Sequence, residues 1–249
     1  MRRAVLQLEA LTKSFGALRV AEAIGLEVLA GETHAIIGPN GAGKTSLINQ
    51  ISGALAPDTG RIVFEGRDIT AMSIAARAAL GFARSFQITQ VLAHFSALEN
   101  VALAVQARSG SSFRFWRPAA GEAALNRTAL ASLDSVELAT RAHTLAGALS
   151  HGEKRRLEIA IALAQAPKLL LLDEPMAGAG IEETRSLVAT LKRLKGRYTI
   201  LLVEHDMGAV FALADRISVL VAGRIIASGE PQAVRANAAV RAAYLGEGI

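Results

Sequence analysis

The sequence predicts an α/β fold: a mixed β-sheet core carrying a phosphate-binding loop, with an antiparallel β region beside it and a helical region inserted into it. Three observations predict this. Gly38-Pro39-Asn40-Gly41-Ala42-Gly43-Lys44-Thr45 follows the apolar run Ala35-Ile36-Ile37 and opens a helical pattern at Ser46-Leu47-Ile48. Two further apolar runs, Lys168 to Asp173 and Thr199 to Val203, end in polar residues, as strands buried on both faces of a parallel sheet do. Between about Phe95 and Gln165 the hydrophobic spacing becomes helical, with no convincing strand.

In chain order, Val5 to Leu11 and Leu26 to Val28 alternate apolar and polar residues, the pattern of half-solvated antiparallel strands. Lys13-Ser14-Phe15-Gly16 lies between them as a turn. Phe15 has two readings on local sequence, a ring that stacks on a base or one that fills the core. Pro57-Asp58-Thr59-Gly60 is a turn before a strand at Arg61 to Gly66. A short helix over Ile74 to Leu80 leads to a strand, Phe82 to Gln87, ending on a glutamine. Helices follow from Leu98, from Glu122 to Ser135 and from Glu153 to Ala164, with Phe113, Phe115 and Trp116 between the first two. That trio is either a docking knob or a cap on the helical region's own core. A helix over Glu182 to Lys195 separates the two buried strands, and a hairpin of Arg216 to Val221 with Arg224 to Ala227 precedes two short closing helices.

The chemistry begins at the loop. The spacing G-x-x-x-x-G-K-T turns the backbone N–H groups inward on a polyphosphate that rests at the positive end of a helix. Lys44 then reaches the β- and γ-phosphates, and the Thr45 hydroxyl binds Mg²⁺. Hydrolysis also needs a carboxylate for the metal, a group that orients water and a contact to the γ-phosphate. Asp173 and Glu174, after four leucines, fit the first two roles, and His205 at a second strand end fits the third. In open α/β sheets ligands bind outside the carboxyl ends of the strands, so these ends are expected to converge on the loop. Ser150 with Glu153 three residues on reads as a capping box, and a helix start bearing Ser150 and Gly152 is also an anion site.

Composition sets the bounds. The chain has 249 residues, 51% of them hydrophobic and 20% charged, enough to bury a sizeable core. With no cysteine, disulfides and cysteine-ligated metals are excluded, in keeping with a reducing compartment. The longest apolar stretch, Ile159 to Leu172, is interrupted by Gln165, Pro167 and Lys168, so no membrane-spanning segment is expected. The net charge of +5 is spread along the chain rather than gathered into an aromatic-interleaved basic stripe, which argues against nucleic acid.

The ordered set of motifs resembles the ATP-binding cassette (ABC) family of transport ATPases over essentially the whole chain. Walker A matches Gly38 to Thr45, with Ser46 next to it; the Q-loop matches Gln87, the signature Leu149 to Glu153, Walker B Leu169 to Asp173 with Glu174, and the H-loop His205. The resemblance implies the ABC-ATPase fold as one domain, with residues 1–94 and 166–249 forming the core and β subdomain and 95–165 a helical subdomain. It implies ATP and Mg²⁺ as cofactors, Glu174 and His205 as catalytic groups, and Thr45, Gln87 and Asp173 around the metal. Phe15 takes the place of the adenine-stacking aromatic. Ser150, His151, Gly152 and Glu153 would act in trans on the ATP of a second subunit, either an identical copy or a paralogue.

Within that family the chain is similar to the longer ATP-binding subunit of branched-chain amino acid importers. The carrying residues are Ala83 to Gln87, Leu98 to Val101, Arg155 to Ala160, Glu204 to Met207 and Ala243 to Glu247, together with the extended stretch between Gln87 and Leu149. The implied setting is the cytoplasmic face of the inner membrane, held peripherally by two transmembrane permeases and served indirectly by a periplasmic substrate-binding protein. Departures from the family pattern are His151 and Glu153 in the signature, where glycine and glutamine are usual, and the lack of an Asp or Asn in Ala177 to Ile181. The competing readings are import of urea or amides, lipopolysaccharide export, whose ATPases share the Tyr-Leu-Gly-Glu ending without the long insert, and a DNA-repair ATPase, which would need long heptad arms that are absent here.

Overall fold

The computed structural model describes residues 3–85, 91–108 and 123–244. Gln87, the aromatic trio Phe113 to Trp116 and the terminal Leu245 to Glu247 lie outside the described residues.

Two sheets organise the chain. The first is antiparallel, in the order β2-β1-β4-β5, and is built from β1 (Ala4–Phe15), β2 (Leu18–Leu29), β4 (Thr59–Phe64) and β5 (Arg67–Asp68). β1 and β2 run well beyond the alternating stretches that predict them, because irregularities in their register, such as that between Leu8 and Leu11, break the strict period of two without ending the ladder.

The second sheet has the order β10-β9-β3-β8-β7-β6. It comprises β3 (Thr33–Ile37), β6 (Phe82–Ser85), β7 (Leu169–Asp173), β8 (Ile200–Val203), β9 (Arg216–Val221) and β10 (Arg224–Gly229). All pairings are parallel except the β9–β10 hairpin, so the sheet is mixed, as expected. The four leucines of β7 show why it reads as a continuous apolar run. Leu170 and Leu172 enter one core with the helices, while Leu169 and Leu171 enter a second core with Leu6, Leu8, Ile62 and Phe64 of the antiparallel sheet. Each face of the strand is thus covered, and both alternating sets must be apolar.

The helices are α1 (Lys44–Ser52), α2 (Ile74–Ala79), α3 (Ala97–Arg108), α4 (Ala123–Ser135), α5 (His151–Ala164), α6 (Ile181–Leu194), α7 (Met207–Leu213), α8 (Pro231–Ala236) and α9 (Ala238–Tyr244). α3, α4 and α5 pack on one another, burying Val101, Val105, Ala129, Leu133, Leu157 and Ala160 in the core they share with β7 and α6. α5 begins two residues before the start predicted at Glu153, because Ser150 caps it and His151 and Gly152 occupy its first turn. No helix among the described residues is long and apolar enough to cross a membrane.

Candidate nucleotide-binding and hydrolysis site

The strand order decides what meets at the carboxyl edge. β8 lies between β3 and β7, with Val203 opposite both Ile36 and Asp173. The phosphate loop after β3, the Glu204-His205 pair after β8 and the Asp173-Glu174 pair at the end of β7 therefore emerge side by side. β6, which leads toward Gln87, is the next neighbour of β7.

In the loop, two glycines are required by close approach. A Cβ on Gly38 would lie 2.1 Å from the Leu220 carbonyl oxygen, and one on Gly43 would lie 2.2 Å from that of Val20. Gly43 also caps α1 with φ at 103°, a conformation that L side chains rarely adopt. Gly43→Ala is therefore expected to cost about 1–3 kcal/mol in backbone strain and to weaken nucleotide binding, which denaturant melts and a fluorescent-ATP titration would read together. Wild-type affinity in that variant would remove the loop from the site.

The buried Lys44 ammonium donates to the loop's own carbonyls, Gly38 O at 2.6 Å and Pro39 O at 3.0 Å. Its pKa is drawn down by burial, while the neighbouring charges of Glu174 and Asp173 oppose that shift. The lysine and both carboxylates thus share one electrostatic field. Thr45, next on α1, is exposed.

Asp173 is buried, and its Oδ2 accepts from Arg84 Nη2 at 2.9 Å. Arg84 Nη1 also donates to Asn49 Oδ1 at 2.9 Å and Ser52 Oγ at 3.0 Å. One guanidinium therefore joins β6, α1 and the end of β7, and it holds one oxygen of the Asp173 carboxylate. The donor set of a hydroxyl and a carboxylate suits Mg²⁺, which takes oxygen ligands and is commonly bound through one or two carboxylates plus phosphates and water. Glu174 follows in the left-handed region at φ 47°, its N–H donating to Val203 O at 2.8 Å.

His205 is 61% exposed in its side chain, with Nδ1 3.8 Å from Glu204 Oε2. Phe15, at the end of β1, is 51% exposed, which removes its reading as core filler. The expected turn at Lys13 to Gly16 is the end of β1, paired with β2 through Phe15, and it is held by Asp58, which accepts from Lys13 Nζ at 2.6 Å and from the Ser14 N–H at 2.7 Å. The Lys13 ammonium stands 5.6 Å from the Phe15 ring centroid.

The start of α5 lines a cleft formed by Ser150, His151, Gly152, Pro175 and Glu183, Pro175 being the residue after Glu174. The predicted capping box is present: Ser150 Oγ accepts the Glu153 N–H at 3.2 Å, and Glu153 Oε2 accepts the Ser150 N–H at 2.8 Å. The Ser150 N–H holds the Glu153 carboxyl below its ordinary range, and the Ser150 hydroxyl, Arg141 and Arg156 add to this against the opposing effect of partial burial. A depressed folded value means that the cap's contribution is fully present above the ordinary glutamate range and is lost as pH falls through the folded value. Gly152 donates its N–H to Glu183 Oε1 at 3.2 Å, and His151 Nδ1 lies 4.0 Å from Glu183 Oε2. Of the two departures in this segment, Glu153 supplies the carboxylate of the capping box, and His151 stands near Glu183.

Sequence reasoning missed Arg84 and Glu204. The available signal was a charged residue inside or directly after a buried apolar strand, where solvation cannot explain it.

The chain matches the family model described as ABC transporter over residues 21–177, and that described as branched-chain amino acid ATP-binding cassette transporter over residues 224–249. It is 35% identical over 254 residues to the high-affinity branched-chain amino acid transport ATP-binding protein BraF of Pseudomonas aeruginosa, covering 99% of this chain and 100% of the relative. It is likewise 35% identical over 259 residues to the corresponding protein LivG of Escherichia coli K12, with 99% and 100% covered. Among solved structures, the ADP conformation of MJ1267, an ATP-binding cassette of an ABC transporter, superposes with a TM-score of 0.85 at 32% identity, covering 98% of this chain and 100% of that one. The dimeric structure of MJ0796, a bacterial ABC transporter cassette, superposes at 0.74 with 25% identity, covering 91% and 98%.

Proposed function

The chain belongs to the ABC transporter family of ATP-binding subunits, and from that premise we propose that it is the ATP-hydrolysing subunit of an importer of branched-chain or related amino acids. The observation that carries the catalytic part is the convergence of three strand ends, with Lys44, Asp173, Glu174 and His205 emerging from adjacent strands of one sheet. The substrate class is supported by the match of residues 224–249 and by the names of the full-length relatives.

In this reading the loop N–H groups and Lys44 hold the phosphates of ATP, releasing the lysine from its contacts with Gly38 and Pro39. Phe15 stacks on the adenine. Thr45 and Asp173, with Gln87, hold Mg²⁺, which when bound neutralises phosphate charge. Glu174 accepts a proton from the attacking water, and His205 contacts the γ-phosphate. Residues 95–165 act as a helical subdomain beside a core of 1–94 and 166–249. Its Ser150, His151, Gly152 and Glu153 face the ATP of a second subunit, and the dimeric MJ0796 cassette supports that arrangement. Two permeases bring the subunit to the membrane, and a substrate-binding protein selects the amino acid.

Two measurements test this. Turnover per subunit is expected to fall steeply on dilution into the monomeric range, because each site lacks its other half there; turnover independent of concentration would contradict the composite site. Copurification of the permeases and binding protein, followed by titration of that protein with leucine, isoleucine, valine, amides and urea, identifies the substrate. Tight binding of urea or amides alone would overturn the amino acid assignment.

A further inference from the structure

Glu204 is the first residue beyond β8, and its side chain is 0% exposed. Its Oε1 accepts the Met176 N–H at 2.7 Å. Its Oε2 accepts the N–H groups of His205 at 2.9 Å and Asp206 at 3.2 Å. One buried carboxylate thus clasps two turns: the one that follows Glu174 and the one that carries His205.

We propose that Glu204 is a positioning residue for ATP hydrolysis, setting the His205 backbone against the turn after Glu174 through its three main-chain hydrogen bonds. The proposal rests on the ATPase reading above. The need for such a clasp follows from exposure. The His205 side chain is largely solvent-facing, so packing does not orient it, and its placement depends on its main chain. That main chain is fixed on one side by Glu204 and on the other by Asp206, which caps α7 through Ala209 N–H at 3.0 Å. Glu174 is tied to the same strand end by its N–H to Val203 O. Glu204 adds the only side-chain link that the described residues show between Met176 and the His205 turn.

The chemistry requires a carboxylate. Three donors converge on the group from two directions, and only an acceptor at both oxygens satisfies all of them. A glutamine of the same shape must turn its NH₂ either toward Met176 or toward His205 and Asp206, and so opens one side of the clasp.

Glu204→Gln in the full chain tests this. The expected result is a fall in kcat of about 10- to 100-fold, the scale of a misplaced catalytic group, with fluorescent-ATP affinity unchanged. In a cycle with His205→Ala, the second substitution is expected to add little further loss, since groups acting through one another are non-additive. Multiplicative losses, unchanged kcat, or an affinity that falls in parallel with the rate would overturn the proposal. If Glu204→Gln does not fold, Glu204→Asp, which keeps the charge and withdraws it by one methylene, must show the same split, and wild-type kcat there overturns the proposal equally. Amide exchange at Met176, His205 and Asp206, without nucleotide, separates the two readings. A wild-type chain that hydrolyses no ATP defeats the ATPase assignment, whereas unprotected amides, or protection that Glu204→Gln leaves unchanged, defeat the clasp.

Discussion

Glu174→Gln is expected to cut steady-state ATP turnover by about 10²- to 10⁴-fold while leaving ATP binding intact. The substitution keeps the side chain's length and its place after Asp173, and it leaves the main-chain bond from Glu174 N–H to Val203 O untouched. What it removes is the capacity to take a proton from water. General-base catalysis contributes roughly 10²- to 10⁴-fold, so kcat should fall by that much. Losing one negative charge beside Lys44 removes one of the two influences that support its proton affinity, but Asp173 remains. Binding should therefore hold or tighten, because a neutral amide repels triphosphate less than a carboxylate does. Phosphate release under saturating ATP, alongside equilibrium titration of the nucleotide, separates the outcomes. Undiminished hydrolysis would move the base elsewhere, and parallel loss of rate and affinity would make Glu174 a binding group.

The legibility of this site in the sequence follows its physics. A phosphate loop needs glycines at fixed spacing because backbone carbonyls crowd them, as Leu220 and Val20 do at Gly38 and Gly43, so the requirement is written locally. β7 and β8 are legible because strands buried on both faces need apolar residues at every position, and the polar residues that follow mark where each strand ends. The capping box at Ser150 is local too, which is why it could be read three residues apart. Arg77, Arg84 and Glu204 are different. Each is a charged side chain whose partners lie in distant segments: Gln50 and Ile51 for Arg77, Asp173 for Arg84, Met176 for Glu204. Periodicity assigns such residues to the surface, since burial of a charge becomes tolerable only after the fold has gathered acceptors or donors around it. Phe15 shows the converse, where two readings compatible with sequence are separated only by the exposed ring at the end of β1.

The largest expected loss of stability belongs to Arg77→Met. Arg77 is 1% exposed. Its Nη1 donates to the carbonyls of Gln50 and Ile51, both at 2.7 Å, Nη2 to Thr70 O at 2.9 Å, and Nε to Met72 O at 3.1 Å. Burial lowers its pKa, yet a guanidinium stays charged in a protein. Two of its acceptors are in the last turn of α1, where helix carbonyls lack intrahelical donors and the dipole favours a cation. Gly53 caps that turn at φ 86°, and a Cβ there would sit 2.9 Å from Arg77 Nε, so the helix end and the guanidinium are fitted to each other. Methionine fills much of the volume but leaves the carbonyls of Ile51, Thr70 and Met72 facing an apolar chain, while Gln50 O keeps the Gly53 N–H at 3.2 Å. A hydrogen bond to a charged group contributes about 1.5–3 kcal/mol and a buried acceptor left unsatisfied costs about 1–3 kcal/mol, so a loss of about 3–5 kcal/mol is expected in denaturant unfolding. Lysine, with a single ammonium in place of the planar fork, should recover only part of it. α1 begins with Lys44 and Thr45, so a loosened carboxyl end should also weaken nucleotide binding, and saturating ATP should restore part of the lost thermal midpoint. A loss below about 1 kcal/mol, the scale of an ordinary surface ion pair, would mean that the α1 carbonyls find other donors and that Arg77 does not anchor the helix beneath the phosphate loop.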